Sequence, residues 1–139
     1  MYHFSRSIYR ELADEVIEDP SGHSCANRMR FLSSCESTFE RIAADRHYFA
    51  KPARSLFNDV RFFFPMSAQM RVLRSIERHV RLAGDYVEQH AAHGVSLDGE
   101  PLCCHATTRK GTACQRMPLP RAKYCPSHSH LEEGVAAAA

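Results

Sequence analysis

Thiolates and imidazoles bind soft and borderline metal ions. The stretch CCHATTRKGTACQRMPLPRAKYCPSHSH, residues 103–130, concentrates both, with four of the chain's six cysteines and three of its nine histidines. The spacing is Cys104-x9-Cys114-x10-Cys125-x2-His128. Three cysteines and a histidine form a common tetrahedral structural zinc set. The closing Cys125-Pro126-Ser127-His128 leaves a two-residue gap, so one tight turn aims two ligands at one ion. Gly111, three residues before Cys114, supplies backbone freedom for the other corner. Some thirty residues cannot build a sufficient core alone, and zinc binding, worth about 10 kcal/mol or more in small domains, can supply the missing stability. Four protein ligands close the coordination sphere, whereas a catalytic zinc keeps one position open, so the expected role is structural.

Cys103 adjoins Cys104, and either residue is a candidate first ligand; His105 and His130 are spare histidines. "CHATTRKGTAC" followed by "LPRAKYCPSH" resembles a small zinc module of bacterial and phage proteins. Its pattern is Cys-x-Ala-x-Thr-x-x-Gly-x-x-Cys, then often Leu-Pro, then Tyr-Cys-x-x-His. Cys104, Ala106, Thr108, Gly111, Cys114, Leu119, Pro120, Tyr124, Cys125 and His128 match it. The resemblance covers about 25 residues and favours Cys104 over Cys103. It implies a metal site and no single activity, and it says nothing of residues 1–100.

The elements that carry this segment read as helices. Phe4, Ile8, Leu12 and Val16 recur every four residues on one face of a first helix of about 15 residues. Asp19-Pro20-Ser21-Gly22 breaks it. A second helix is expected from about Ser24 to His47, with Met29, Leu32, Cys35, Phe39, Ile42 and Ala43 as its apolar face. Pro52 suits the first turn of a third helix, buried through Leu56, Phe57, Val60 and Phe64 and ended by Pro65. Ser67 is the expected cap of a fourth helix running to about His93, with Val72, Leu73, Ile76, Val80, Ala83 and Val87 as its apolar side and Gly94 as its stop. The fold class expected is therefore an all-α bundle of about four helices over residues 1–94. A linker (95–102), the Cys3His zinc module (103–130) and a flexible tail (131–139) follow.

Charge is divided unevenly. Residues 1–100 hold 13 Lys/Arg against 14 Asp/Glu, whereas 101–130 carry Arg109, Lys110, Arg116, Arg121 and Lys123 and no carboxylate. With zinc and three thiolates the module still stands near +4, a surface suited to an acidic partner. The fourth helix adds Arg71, Arg74, Arg78 and Arg81 within an arc of roughly 80°. These arginines suit phosphates, or else carboxylates on neighbouring helices. Phe62, Phe63, Phe64, Met66 and Met70 are expected to be mostly core, with any surplus free to dock a protein. His90 and His93, and the group His23, Cys25 and Cys35, are weaker metal candidates.

No nucleotide-binding glycine pattern or glycine-flanked serine nucleophile occurs, and no enzyme is expected. The absence of a signal-like or membrane-length apolar run points to a cytoplasmic protein, and the module resemblance implies a bacterial one. The expected function is attachment to nucleic acid or a ribonucleoprotein through the basic zinc module and the arginine stripe. The alternative is a protein-interaction adaptor; neither a membrane nor a small-molecule substrate is implied.

Overall fold

The computed structural model describes residues 1–19, 25–44 and 51–132. It divides into two compact units, Met1–Asp85 and Tyr86–Ala139. Helix α1 runs Tyr2–Leu12 and tightens into a 3-10 turn at Ala13–Glu15; α2 is Ala26–Ala44. Helix α3, Pro52–Val60, ends in a 3-10 turn at Arg61–Phe63, and α4 is Gln69–Ala92. Among the described residues no strand forms, only isolated bridges at Val95–Pro101 and Thr107–Ala113. No helix among them is long and apolar enough to cross a membrane.

The first unit is built on the expected apolar faces. Ile8, Leu12 and Val16 of the first segment are buried, as are Leu32, Cys35, Phe39 and Ile42 of α2 and Leu56, Val60 and Phe64 of the third. Val72, Ile76, Val80 and Ala83 complete the set from α4. Phe31 has no exposure at all and joins three elements. Its ring lies 6.1 Å from Tyr9 of α1 and meets Phe64 edge-on at 5.1 Å. Phe4 stacks on Phe39 at 5.9 Å, and the Ile17 N–H donates to the Phe63 carbonyl at 2.8 Å, tying the end of the first segment to that of the third. Cys35, sealed on this apolar face, has its thiol pushed up to about 12 by burial, with Glu36 adding to the effect.

Several expectations need correction. Met29 is exposed, because α2 turns inward the side that carries Phe31, Leu32, Cys35 and Phe39, and Met29 lies about 160° around the helix from Phe31. Phe62, Met66 and Met70 are exposed too, and of the Phe/Met run Phe64 alone is fully buried. The reason is geometric: a 3-10 turn followed by an extended residue cannot aim three consecutive rings inward. Phe64 is held extended (ψ 145°) by the proline after it. The residue before α4 is Ala68, whose carbonyl accepts the Val72 N–H, so Ser67 sits one position too early to cap. Phe57 is only half-buried. The break at Pro20–Gly22 and the far ends of the second helix lie outside the described residues.

The arginine stripe is partly spoken for. Arg78 donates to both Glu11 oxygens at 2.7 and 2.6 Å, and Arg71 pairs with Glu15, so α4 is fastened to the α1 segment. Arg74 and Arg81 are exposed. Burial works against the Glu11 charge, but the Arg78 guanidinium, with Ser75 and His79, outweighs it and holds the carboxyl below its ordinary value of 4.5. A depressed carboxylate adds stability above its unfolded pKa and loses it as pH falls through the folded one. Glu11 is partly solvated, so the gain is at most about 1 kcal/mol. Glu11→Gln should remove this part of the acid sensitivity below about pH 4.5, read by urea melts at pH 7 and pH 3.5. Phe31→Ala should cost far more, about 3–5 kcal/mol in the same measurement.

Candidate metal centre

The second unit begins with the last turns of α4. Gly94 ends the helix in the left-handed region (φ 75°), as expected of the stop. Its N–H reaches the Ala91 carbonyl while the Val95 N–H reaches that of His90, the paired bonds of a glycine C-cap. A Cβ on Gly94 would lie 2.7 Å from the Met117 terminal methyl, which would have to shift, but the left-handed backbone is what favours glycine there. Residues 95–101 fold back as a turn, the Ser96 N–H donating to the Glu100 carbonyl at 2.8 Å, and the Leu102 N–H returns to the Gly94 carbonyl.

From there the chain makes a short hairpin whose arms carry the first two ligands. The Cys104 N–H donates to the Arg116 carbonyl at 2.7 Å and the Cys114 N–H to that of Ala106 at 2.9 Å. At the tip, Gly111 N–H to Thr108 carbonyl and Thr108 N–H to Thr112 carbonyl close a turn with Gly111 left-handed (φ 79°). This is the turn-plus-bulge geometry of a short hairpin, and Gly111 has the role its position implied. The hydroxyls of Thr108 and Thr112 share a further bond of 2.8 Å.

A second turn, Leu119–Ala122, brings the chain back to Cys125. The Ala122 N–H donates to the Leu119 carbonyl, and the Leu119 N–H to that of Tyr124. A 3-10 turn at Pro126–His128 then swings His128 over Cys125. Cys104, Ala106, Cys114 and Cys125 form the small buried core of the unit, with Tyr124 packed against it.

Cys104, Cys114, Cys125 and His128 bring their ligand atoms within 4.8 Å of one another. His128 Nδ1 lies 3.5 Å from Cys104 Sγ and 3.4 Å from Cys125 Sγ. A tetrahedral ion with metal–sulfur bonds of about 2.3 Å and metal–nitrogen bonds of about 2.0 Å sets such edges at about 3.5 Å. The residues therefore fit a metal ion. Backbone N–H groups of Cys125 and Ala106 point at Cys104 Sγ at 3.3 and 3.5 Å. Burial opposes ionisation of Cys104, yet these donors, with His128 and Cys125, bring its thiol down to about 7. At Cys114 the Arg116 N–H favours the thiolate, but burial and the Cys125 and Cys104 sulfurs prevail and raise the pKa. Three sulfurs this close resist joint ionisation, and a cation at the centre relieves that resistance.

Cys103 is not part of the group. Its thiol faces the Pro101 carbonyl and Gln115 Oε1, each at 3.8 Å, since successive side chains of an extended arm point to opposite sides. His105 and His130 are exposed and outside the cluster. His90 and His93 direct Nδ1 to the Tyr86 and Gln89 carbonyls, and neither joins a ligand group among the described residues. Of the group His23, Cys25 and Cys35, His23 lies outside the described residues and Cys35 is core.

Two supports had no sequence signal. The Lys123 N–H donates to Glu132 Oε1 at 2.9 Å, which engages a residue expected in the tail. Arg116 Nη1 donates to Ser127 Oγ at 2.7 Å, bracing the turn between the last two ligands. Arg109, Lys110, Arg116 and Arg121 are exposed and Lys123 half-buried. Comparison of the chain with family models, curated proteins and solved structures returned no match. Cys125→Ala should abolish metal binding and leave the helical signal of the first unit intact, whereas Cys103→Ala should keep one metal per chain. Metal analysis of purified protein with far-UV circular dichroism decides both.

Proposed function

We propose that this chain is a non-enzymatic, zinc-stabilised binding protein that attaches to nucleic acid or a ribonucleoprotein surface. The observation that carries the reading is the charge of the module's own loops. Five cations and no carboxylate occupy residues 101–130, and four of the five are exposed around a metal-ligand core. Zinc suits three thiolates and an imidazole in a tetrahedron. The resemblance of residues 104–128 to a bacterial and phage zinc module supports the same ion. With every position of the tetrahedron filled by protein, the ion fixes loop shape and leaves no site for substrate.

Arg71 and Arg78 contribute little to such a contact, because Glu15 and Glu11 already satisfy them. A second reading, a protein-interaction adaptor, is favoured by the exposed Phe62 (71%) and Met66 (82%) of the first unit. The two readings part on salt dependence. A labelled oligonucleotide should bind the zinc-loaded chain with affinity that falls steeply between about 50 and 200 mM salt. The Arg109→Gln/Lys110→Gln double variant should flatten that dependence and keep its metal. Absence of binding at the lowest salt would turn the search to protein partners.

A further inference from the structure

The two turns that project from the ligand core differ in one respect. Where the first turn requires a left-handed residue it has Gly111, but the second has Arg121 (φ 61°). Among the described residues Arg121 is the one residue other than glycine with a positive φ. A turn with proline second and a left-handed residue third selects glycine there, because a Cβ crowds the following carbonyl. Arginine holds this position against its backbone preference. The preceding Pro120 and the bond from the Leu119 N–H to the Tyr124 carbonyl keep the turn in place. Strain of this kind collects at ligand contacts, where a side chain supplies what glycine cannot. Here it is an exposed guanidinium four residues before ligand Cys125.

We propose that the second unit grips the phosphate backbone of a nucleic-acid duplex, with Arg121 as its anchoring contact and Arg109 and Lys110 as the contacts of the other turn. This rests on the nucleic-acid reading and names its substrate class. Proteins that hold single strands stack the bases on aromatic rings. Here no Phe or Trp occurs after Phe64, and both tyrosines of the unit are half-buried. Tyr86 lies against His90 with ring centroids 4.4 Å apart, and Tyr124 packs on the ligand core. The groups the unit offers are cations on tight turns, which suit phosphate oxygens at regular spacing and carry no base readout. The contact is therefore sequence-independent.

The test uses full-length, zinc-loaded protein, a labelled mixed-sequence duplex of about 20 base pairs and the matching single strand, between about 50 and 200 mM salt. Three phosphate contacts set a duplex slope of log affinity against log salt near −2.7, at about −0.9 each. Arg121→Gly should reduce it to about −1.8 and weaken duplex binding about eightfold near 0.1 M salt. The variant should hold zinc and melt at or above the wild-type temperature, since glycine relaxes the turn. A wild-type slope in the variant removes Arg121 as the anchor, and a lower melting temperature removes the strain argument. Tighter binding of the single strand overturns the duplex assignment. Failure of the wild-type chain to bind either strand at the lowest salt overturns the nucleic-acid reading itself, and the inference with it.

Discussion

Three buried sulfurs and an imidazole nitrogen stand within 4.8 Å of one another, and the form of the second unit follows from keeping them there. Such a group is unfavourable by itself. Burial and mutual repulsion hold Cys114 in its thiol form, while donated N–H groups pull Cys104 toward the thiolate. The backbone is arranged for an anion at one sulfur and the crowd penalises anions at the rest. A metal ion held by the group would resolve that conflict and turn four weakly connected positions into one fixed point. Without it, the buried apolar matter of the module is little more than Ala106, Ala122 and part of Tyr124. That is far too little to offset the entropy of ordering some thirty residues.

Fixing the ligands also fixes what lies between them. Each inter-ligand loop is short, closed by backbone hydrogen bonds and turned at a left-handed residue, Gly111 in one and Arg121 in the other. The cations ride on these loops, so their positions are set by the ligand cluster and not by a helix or sheet. Outer bonds reinforce the arrangement: Arg116 to Ser127, and the Lys123 N–H to Glu132. The first unit works by different physics. Its order comes from Phe31 and the aliphatic faces around it, with ion pairs from Glu11 and Glu15 adding orientation more than stability.

The sequence was most legible where one chemical requirement dictated residue type. Ligand spacing exposed the metal cluster, and periodic Ile8–Leu12–Val16 and Val72–Ile76–Val80 exposed helix faces, because burial repeats with the helical turn. It was least legible where several arrangements satisfy the same pattern. Met29 follows the three-residue step to Leu32, yet it lies about 160° around α2 from Phe31, and packing of Phe31 against Tyr9 and Phe64 sets which side faces inward. The rings at 62–64 looked like core because hydrophobicity does not reveal where a helix tightens into a 3-10 turn. Cys103 and Cys104 are chemically identical, and only the direction of each side chain on the hairpin arm separates ligand from bystander. Arg121 gives no signal by its type, since its significance lies in a backbone angle.

The central claim is that a metal ion organises residues 103–130 and that the first unit stands without it. The most direct measurement is a backbone amide NMR spectrum of the zinc-loaded protein, repeated after stoichiometric removal of metal by a chelator. Resonances of residues 103–130 should collapse to random-coil positions, while those of the buried helix residues of Met1–Asp85 stay dispersed. Readdition of zinc should restore the spectrum. Retention of dispersed signals from the hairpin and the 119–122 turn in metal-free protein would contradict the account, because the fold of the module would then owe nothing to the ion.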